Sequence, residues 1–125
     1  MRAIALFIAS AATIFIASPS RAQDAAAGEK VFTKCKVCHI ADQDQNKVGP
    51  SLHGVIGRTA GTHPGFTFSP AMIEAGKSGI KWDEPTLTKY SRPQGDGQGD
   101  EDGVPGLKND QDVANVIAYL KQFSK

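Results

Sequence analysis

The stretch KCKVCHI constrains this chain more than any other. It contains the only two cysteines, Cys35 and Cys38, and the histidine that directly follows them, His39. The two thiols lie one helical turn apart, so both can react with one partner on the same side of the chain. Two cysteines at this spacing are also compatible with a disulfide, a redox-active dithiol or half of a zinc site.

The histidine distinguishes among these possibilities. A thioredoxin-like dithiol needs a strand–helix–strand pattern around it, and a zinc site needs two more ligands at matched spacing. The sequence shows neither pattern. Cys-x-x-Cys-His is the attachment motif for c-type haem, in which the thiols add to the two vinyl groups and the imidazole faces the iron. We therefore predict one covalent haem c, with thioethers from Cys35 and Cys38 and His39 as the iron ligand.

The first 22 residues form a separate segment. Arg2 precedes an almost wholly apolar run over 3–17, and Ser20 and Ala22 are small residues at the cleavage positions. This pattern is typical of a signal peptide cleaved after Ala22, leaving one domain over 23–125 at a periplasmic address. A membrane anchor is the weaker interpretation, because about 15 apolar residues fall short of the ~20 that span a bilayer.

The charge balance gives no sign of a nucleic-acid partner. The chain has 14 basic and 13 acidic residues, and removal of 1–22 takes away Arg2 and Arg21, leaving 12 against 13. The remaining chain is close to neutral, whereas nucleic-acid binding calls for a basic face.

Helical periodicity appears at both ends of the predicted domain. After the potential helix cap Asp24, apolar or small residues recur at spacings of three and four, which predicts a first helix. A second helix is predicted after Asn109 or Asp110, where the apolar residues with helical spacing are Val113, Val116, Ile117, Leu120 and Phe123. EPTLTKY, with Pro85 in its first turn, and SPAMIEAG, ended by Gly76, predict two more helices. We expect an all-α fold of three to five helices, with long loops wrapped around one covalent haem. Gly28 would allow the terminal helices to cross closely.

Five blocks in order, CKVCHI, VGPSLHGVIGR, PGFTFSPA, SGIKWDEPTLTKY and GLKNDQDVANVIAYLK, resemble class I cytochromes c of the mitochondrial and bacterial cytochrome c2 branch. The resemblance runs from about Gly28 to Lys121. It implies a periplasmic electron carrier without catalytic residues, a monomer not inserted in the membrane. Its partners would be redox proteins: an oxidase, a reductase or a reaction centre.

The resemblance also implies roles for single residues. The carbonyl of Pro50 would accept the second ring N–H of His39, and Arg58 and Trp82 would hold a haem propionate. Tyr90 would lie beside the distal ligand. Arg58 could instead be a surface residue and Trp82 a core residue.

Two further histidines, His53 and His63, are expected to be solvated or to bond loops, and not to bind iron. Phe68 stands where many relatives have a propionate-bonding tyrosine, so that hydrogen bond is expected to be absent.

The distal ligand is where the resemblance fails. The family has a methionine in a KMAF-type motif shortly before PGL, whereas the only methionines here are Met1 and Met72. The ligand position falls near Asp102, within a ribbon over 91–103 that holds four acidic residues and no hydrophobic side chain except Pro93.

The ribbon has two interpretations. Permitted codons for residues 92–105, read one base later, can encode DPKAMVKGTKMAF, which resembles the missing loop, so two compensating frame slips would explain it. Read literally, the ribbon leaves the iron five-coordinate or weakly held, and the protein would bind nitric oxide or peroxide. A calcium loop is a poor match, because the spacing of an EF-hand and its closing Glu are absent.

Overall fold

The computed structural model describes residues 23–93 and 106–125. The predicted signal peptide and residues 94–105, which include most of the ribbon and the position near Asp102, lie outside the described residues. The described part contains four α-helices: α1 (Ala25–Phe32), α2 (Pro70–Lys77), α3 (Glu84–Tyr90) and α4 (Asp110–Lys121). Its only β pairing is an isolated bridge between Thr59 and Lys81. The all-α prediction is confirmed, and none of these four helices is long and apolar enough to cross a membrane.

The helices begin where side-chain chemistry predicts. Asp24 caps α1 by accepting hydrogen bonds from two backbone amides of its first turn, and Asn109 caps α4 in the same way. Ser69 and Asp83 cap α2 and α3, each of which carries a proline in its first turn. Such caps satisfy amides that have no partner inside the helix. Of the two residues proposed to cap the last helix, Asn109 is the cap.

The prediction that Gly76 ends the second helix is wrong. The helix α2 continues to Lys77, and the turn that follows uses Gly79, whose φ is +93°. Gly76 is instead needed for packing, because a Cβ on it would lie 1.9 Å from the carbonyl oxygen of Ala60. The glycine allows α2 to lie directly against the loop at 59–61.

The crossing of α1 and α4 forms the centre of the core. A Cβ on Gly28 would lie 1.9 Å from the carbonyl oxygen of Asn115, so only glycine permits this approach. The buried Asn115 side chain accepts a hydrogen bond from the Asp24 amide at 3.0 Å, which fixes the start of α1 on α4. The buried apolar cluster lies around this contact: Phe32, Ala41, Val55, Val113, Val116, Ile117, Tyr119 and Leu120.

The chain returns to one place on either side of residues 94–105. The Leu107 amide donates to the Ser91 carbonyl at 2.7 Å, and Arg92 pairs with Asp110 at 2.8 Å. A Cβ on Gly106 would lie 2.2 Å from the carbonyl carbon of Arg92. We call this junction, residues 91–93 with 106–107, the neck.

Candidate haem-binding site

The attachment motif forms a tight turn directly after α1. The amide of Cys35 donates to the Phe32 carbonyl at 2.7 Å, and the amides of Cys38 and His39 donate to the Cys35 carbonyl at 3.0 and 2.9 Å. These bonds continue the helical winding, so the sequence spacing of the three residues becomes one spatial turn.

Both cysteines are half-buried, and no disulfide joins them. Burial raises the pKa of the Cys35 thiol, although the nearby Lys34 ammonium lowers it in part. Within the described residues no cluster of three His, Cys, Asp or Glu side chains could hold a metal ion, so the zinc interpretation gains no support. The thiols remain available for covalent attachment.

The His39 imidazole is held by one backbone carbonyl. Its Nδ1 lies 2.8 Å from the Pro50 oxygen. A carbonyl oxygen only accepts hydrogen bonds, so Nδ1 is the donor, and in the neutral ring Nε2 is the nitrogen with the lone pair. Such a partner fixes the tautomer and orientation of a metal-binding histidine and raises its basicity. The contact expected between His39 and Pro50 is therefore present.

Gly49 also contacts the His39 ring, and we call Gly49 and the Pro50 carbonyl together the cradle of the imidazole. The sequence interpretation did not include Gly49. A Cβ on Gly49 would lie 2.4 Å from Cε1 of His39, so only glycine leaves room for the ring here. The Gly49 amide also donates to the Cys38 carbonyl at 2.9 Å. The available signal was its position directly before Pro50, since a required glycine marks close approach.

Arg58 is engaged with the loop beside the site. Its Nη1 donates to the Ser51 carbonyl at 2.7 Å, and its Nη2 donates to the His53 carbonyl. Burial lowers the pKa of this guanidinium, and the Asp44 carboxylate partly opposes that shift. The side chain is thus more than a solvated surface group, and its role toward a propionate stays a prediction.

Trp82 and Tyr90 lie together. Their ring centroids are 5.0 Å apart and the rings are nearly perpendicular, at 89°. The Trp82 amide donates to the Arg58 carbonyl at 2.8 Å, which brings these three predicted site residues into one region. Tyr90 is 43% exposed at the end of α3, while Trp82 packs against the core.

The other two histidines bond loops, as expected. His53 Nδ1 lies 3.0 Å from the Ala41 carbonyl oxygen. His63 Nε2 lies 3.1 Å from Asp44 Oδ1, and only 9% of the His63 side chain is exposed, so it is not solvated. Phe68 forms an edge-to-face pair with Phe66 at 4.8 Å.

The donor set fits a covalent haem. Two thiols and one oriented imidazole nitrogen share a single turn, and the glycine cradle admits the ring that would bind the iron. Partly buried apolar side chains pack against the core nearby, among them Leu52, Ile56, Trp82, Leu87 and Leu107. Fold and site together define a small all-helical protein built to hold one haem through two thioethers.

Comparison with known proteins agrees with this class. The sequence profile described as cytochrome c matches residues 25–124, and the chain belongs to the cytochrome c family. Cytochrome c2 iso-2 of Magnetospirillum fulvum is 55% identical over 93 residues, covering 74% of this chain and 94% of the relative. Cytochrome c2 of Blastochloris viridis is 45% identical over 109 residues, covering 86% and 84%.

Solved structures of cytochrome c2 are also similar to this chain. The structure of cytochrome c2 from Rhodospirillum centenum superposes with a TM-score of 0.71 at 39% identity, covering 82% of this chain and 99% of that one. The chain is a class I cytochrome c of the c2 branch, with one covalent c-type haem, and it is a haem electron carrier.

Proposed function

We propose that this protein is a periplasmic carrier of single electrons between respiratory or photosynthetic redox complexes. Residues 1–22 are a signal peptide cleaved after Ala22, and the working domain spans residues 23–125. Its partners are an oxidase, a reductase or a reaction centre. The protein works as a monomer, not inserted in the membrane, without a nucleic-acid partner and without catalysing a reaction of its own.

The attachment turn performs the binding. Cys35 and Cys38 would hold the group through thioethers, and His39 would bind the iron through Nε2 while the Pro50 carbonyl accepts the hydrogen bond from Nδ1. When bound, the haem supplies the ferric–ferrous couple that stores one electron. Arg58 and Trp82 would hold a propionate and Tyr90 would lie beside the distal ligand, so that these side chains would orient the group and limit its access to water.

One observation carries this proposal: the 2.8 Å contact between His39 Nδ1 and the Pro50 oxygen, in the same turn as Cys35 and Cys38, which no disulfide joins. The test is the pyridine haemochrome spectrum of the purified protein after acid–acetone extraction. A covalent haem remains with the polypeptide and gives the spectrum of two thioethers. Complete extraction of haem into the solvent would contradict the proposal.

A second candidate function follows from the methionines. Beyond the predicted signal peptide the only methionine is Met72, half-buried on α2 and far in sequence from the expected ligand position. If the ribbon over 91–104 is made as written, the iron is five-coordinate or weakly held, and the protein binds nitric oxide or peroxide.

Spectroscopy separates the two functions. A methionine–iron charge-transfer band in the far red of the oxidised protein supports the carrier. Its absence, with rapid carbon monoxide binding by the reduced protein, supports the open site. Met72→Leu sharpens the comparison, because loss of the band in this variant would identify Met72 as the ligand. Sequencing the gene across codons 88–108 on both strands decides whether the ribbon is encoded.

A further inference from the structure

The loop after the attachment turn is tied back to it by a lysine side chain. Lys47 Nζ donates to the Lys36 carbonyl at 2.6 Å, and Lys36 lies between the two cysteines. The Lys47 amide also donates to the Gly49 carbonyl at 2.9 Å, which makes the lysine and the cradle glycine one compact unit. Hydrogen bonds from a charged donor are shorter and stronger than neutral ones.

A cavity lies directly under this tie. Its volume is about 260 Å³, and its wall includes Phe32, Lys36, His39 and Lys47. A space of this size and polarity can hold water. His39 and Lys47 both line this cavity, so water within it would lie next to both side chains.

We propose that Lys47 is a positioning residue for His39. Its ammonium crosses to the Lys36 carbonyl and holds the 47–50 segment against the attachment turn. This keeps Gly49 against the imidazole face and keeps water away from the bond between His39 Nδ1 and Pro50. The inference rests on the proposed role of His39 as iron ligand. In this role Lys47 acts within its own chain, whereas surface lysines that steer redox partners act on another protein.

The test uses the haem-loaded protein and measures solvent exchange of the His39 ring N–H by NMR, together with the Gly49 amide, which donates to the Cys38 carbonyl. In Lys47→Gln both protons should exchange about fivefold faster, as expected for loss of one exposed charged hydrogen bond. Lys47→Arg keeps a charged donor and should restore slow exchange. Lys34→Gln removes a neighbouring charge, leaves the tie and the cavity wall intact, and should exchange like the wild type.

Each result has a definite meaning. Unchanged exchange in Lys47→Gln, or equal acceleration in Lys34→Gln, overturns the positioning role. Thermal unfolding of each variant shows whether acceleration reflects global opening, which would also overturn it. Covalent haem content is measured in parallel: a wild-type protein without haem means that the proposed function has failed, whereas a loaded wild type with equal exchange rates removes only the role of Lys47.

Discussion

Gly49 shapes the site because it has no side chain. A methyl group there would meet Cε1 of His39 at 2.4 Å, so Gly49→Ala must push the imidazole away from the Pro50 carbonyl. We expect a loss of about 1–3 kcal/mol in the free energy of unfolding, as for other overpacked positions. Haem content per polypeptide, measured by pyridine haemochrome, should fall as well.

Gly54→Ala is the matched control for this substitution. Gly54 has a φ of +67°, and a Cβ on it would meet nothing within 4 Å, so alanine there adds backbone strain alone. It should cost about 1 kcal/mol and leave haem content unchanged. If both variants incorporated haem like the wild type, Gly49 would not be part of the cradle.

Single residues divide clearly into those that sequence can predict and those it cannot. Cys35, Cys38 and His39 follow from covalent chemistry at fixed spacing, and the resemblance supplied the contact between His39 and Pro50. The contact of Gly49 with His39 and the role proposed for Lys47 involve segments that meet only in the folded chain, so no local sequence pattern predicts them. Arg58 was named from the resemblance, but its hydrogen bonds to two loop carbonyls were not predicted, because they too depend on the folded chain.

The crossing of α1 and α4 depends on one missing methyl group. Gly28→Ala would place a Cβ 1.9 Å from the Asn115 oxygen and 2.9 Å from Cβ of Tyr119, so the helices must separate. We expect a destabilisation of roughly 3 kcal/mol, measured by guanidinium unfolding. Ala26→Gly, on the exposed side of α1, should cost about 1 kcal/mol through helix propensity. An equal cost for the two variants would mean that the crossing is not tight.

A polar clasp joins the start of the described chain to α3 and α4. Lys121 Nζ donates to the Glu84 carboxylate at 2.7 Å, and Nε2 of the Gln23 side chain donates to the same carboxylate at 2.6 Å. The hydrogen bond from Lys121, and then that from Gln23, hold the pKa of the Glu84 carboxyl below its ordinary value. Both charged side chains are 42% exposed, so solvent screening limits their contribution to stability.

The clasp predicts a pH dependence of defined sign. A folded-state pKa below the unfolded value gives stability that is present above about pH 4.3 and is lost as pH falls through the folded pKa. Wild type should exceed Glu84→Gln by roughly 0.3–1 kcal/mol at neutral pH, with the gap closing in acid. Urea unfolding between neutral and acidic pH measures the gap. A gap that does not change with pH would count against the clasp. Glu74→Gln, in a more exposed pair on α2, should change stability less.

The helices of this chain were predicted more completely than the contacts between them. Capping residues and prolines in first turns are local signals, so all four helices were predicted, and α3 coincides with EPTLTKY. Gly76 was misassigned, because a glycine near a helix end serves equally for termination and for close packing. Only the position of Ala60 decides between the two roles.

At the scale of the whole molecule, the proposed processing fixes the mass of the mature protein. Intact-mass spectrometry of protein from the periplasmic fraction should give residues 23–125 plus one haem, with Gln23 as the first residue. The physical reason is the small pair at Ser20 and Ala22, which fits the cleavage site of a signal peptidase. A membrane-bound protein that retains residues 1–22 would show that the segment is an anchor.

The neck brings the two described parts of the chain together on either side of residues 94–105. These two parts are joined by the bond between Leu107 and Ser91, and by the close contact of Gly106 with Arg92. The described parts of the chain thus meet through contacts of their own at both ends of residues 94–105. The two proposed functions then differ in one short stretch of sequence between Ser91 and Leu107, and two compensating changes of reading frame, one at each end of that stretch, would exchange one function for the other.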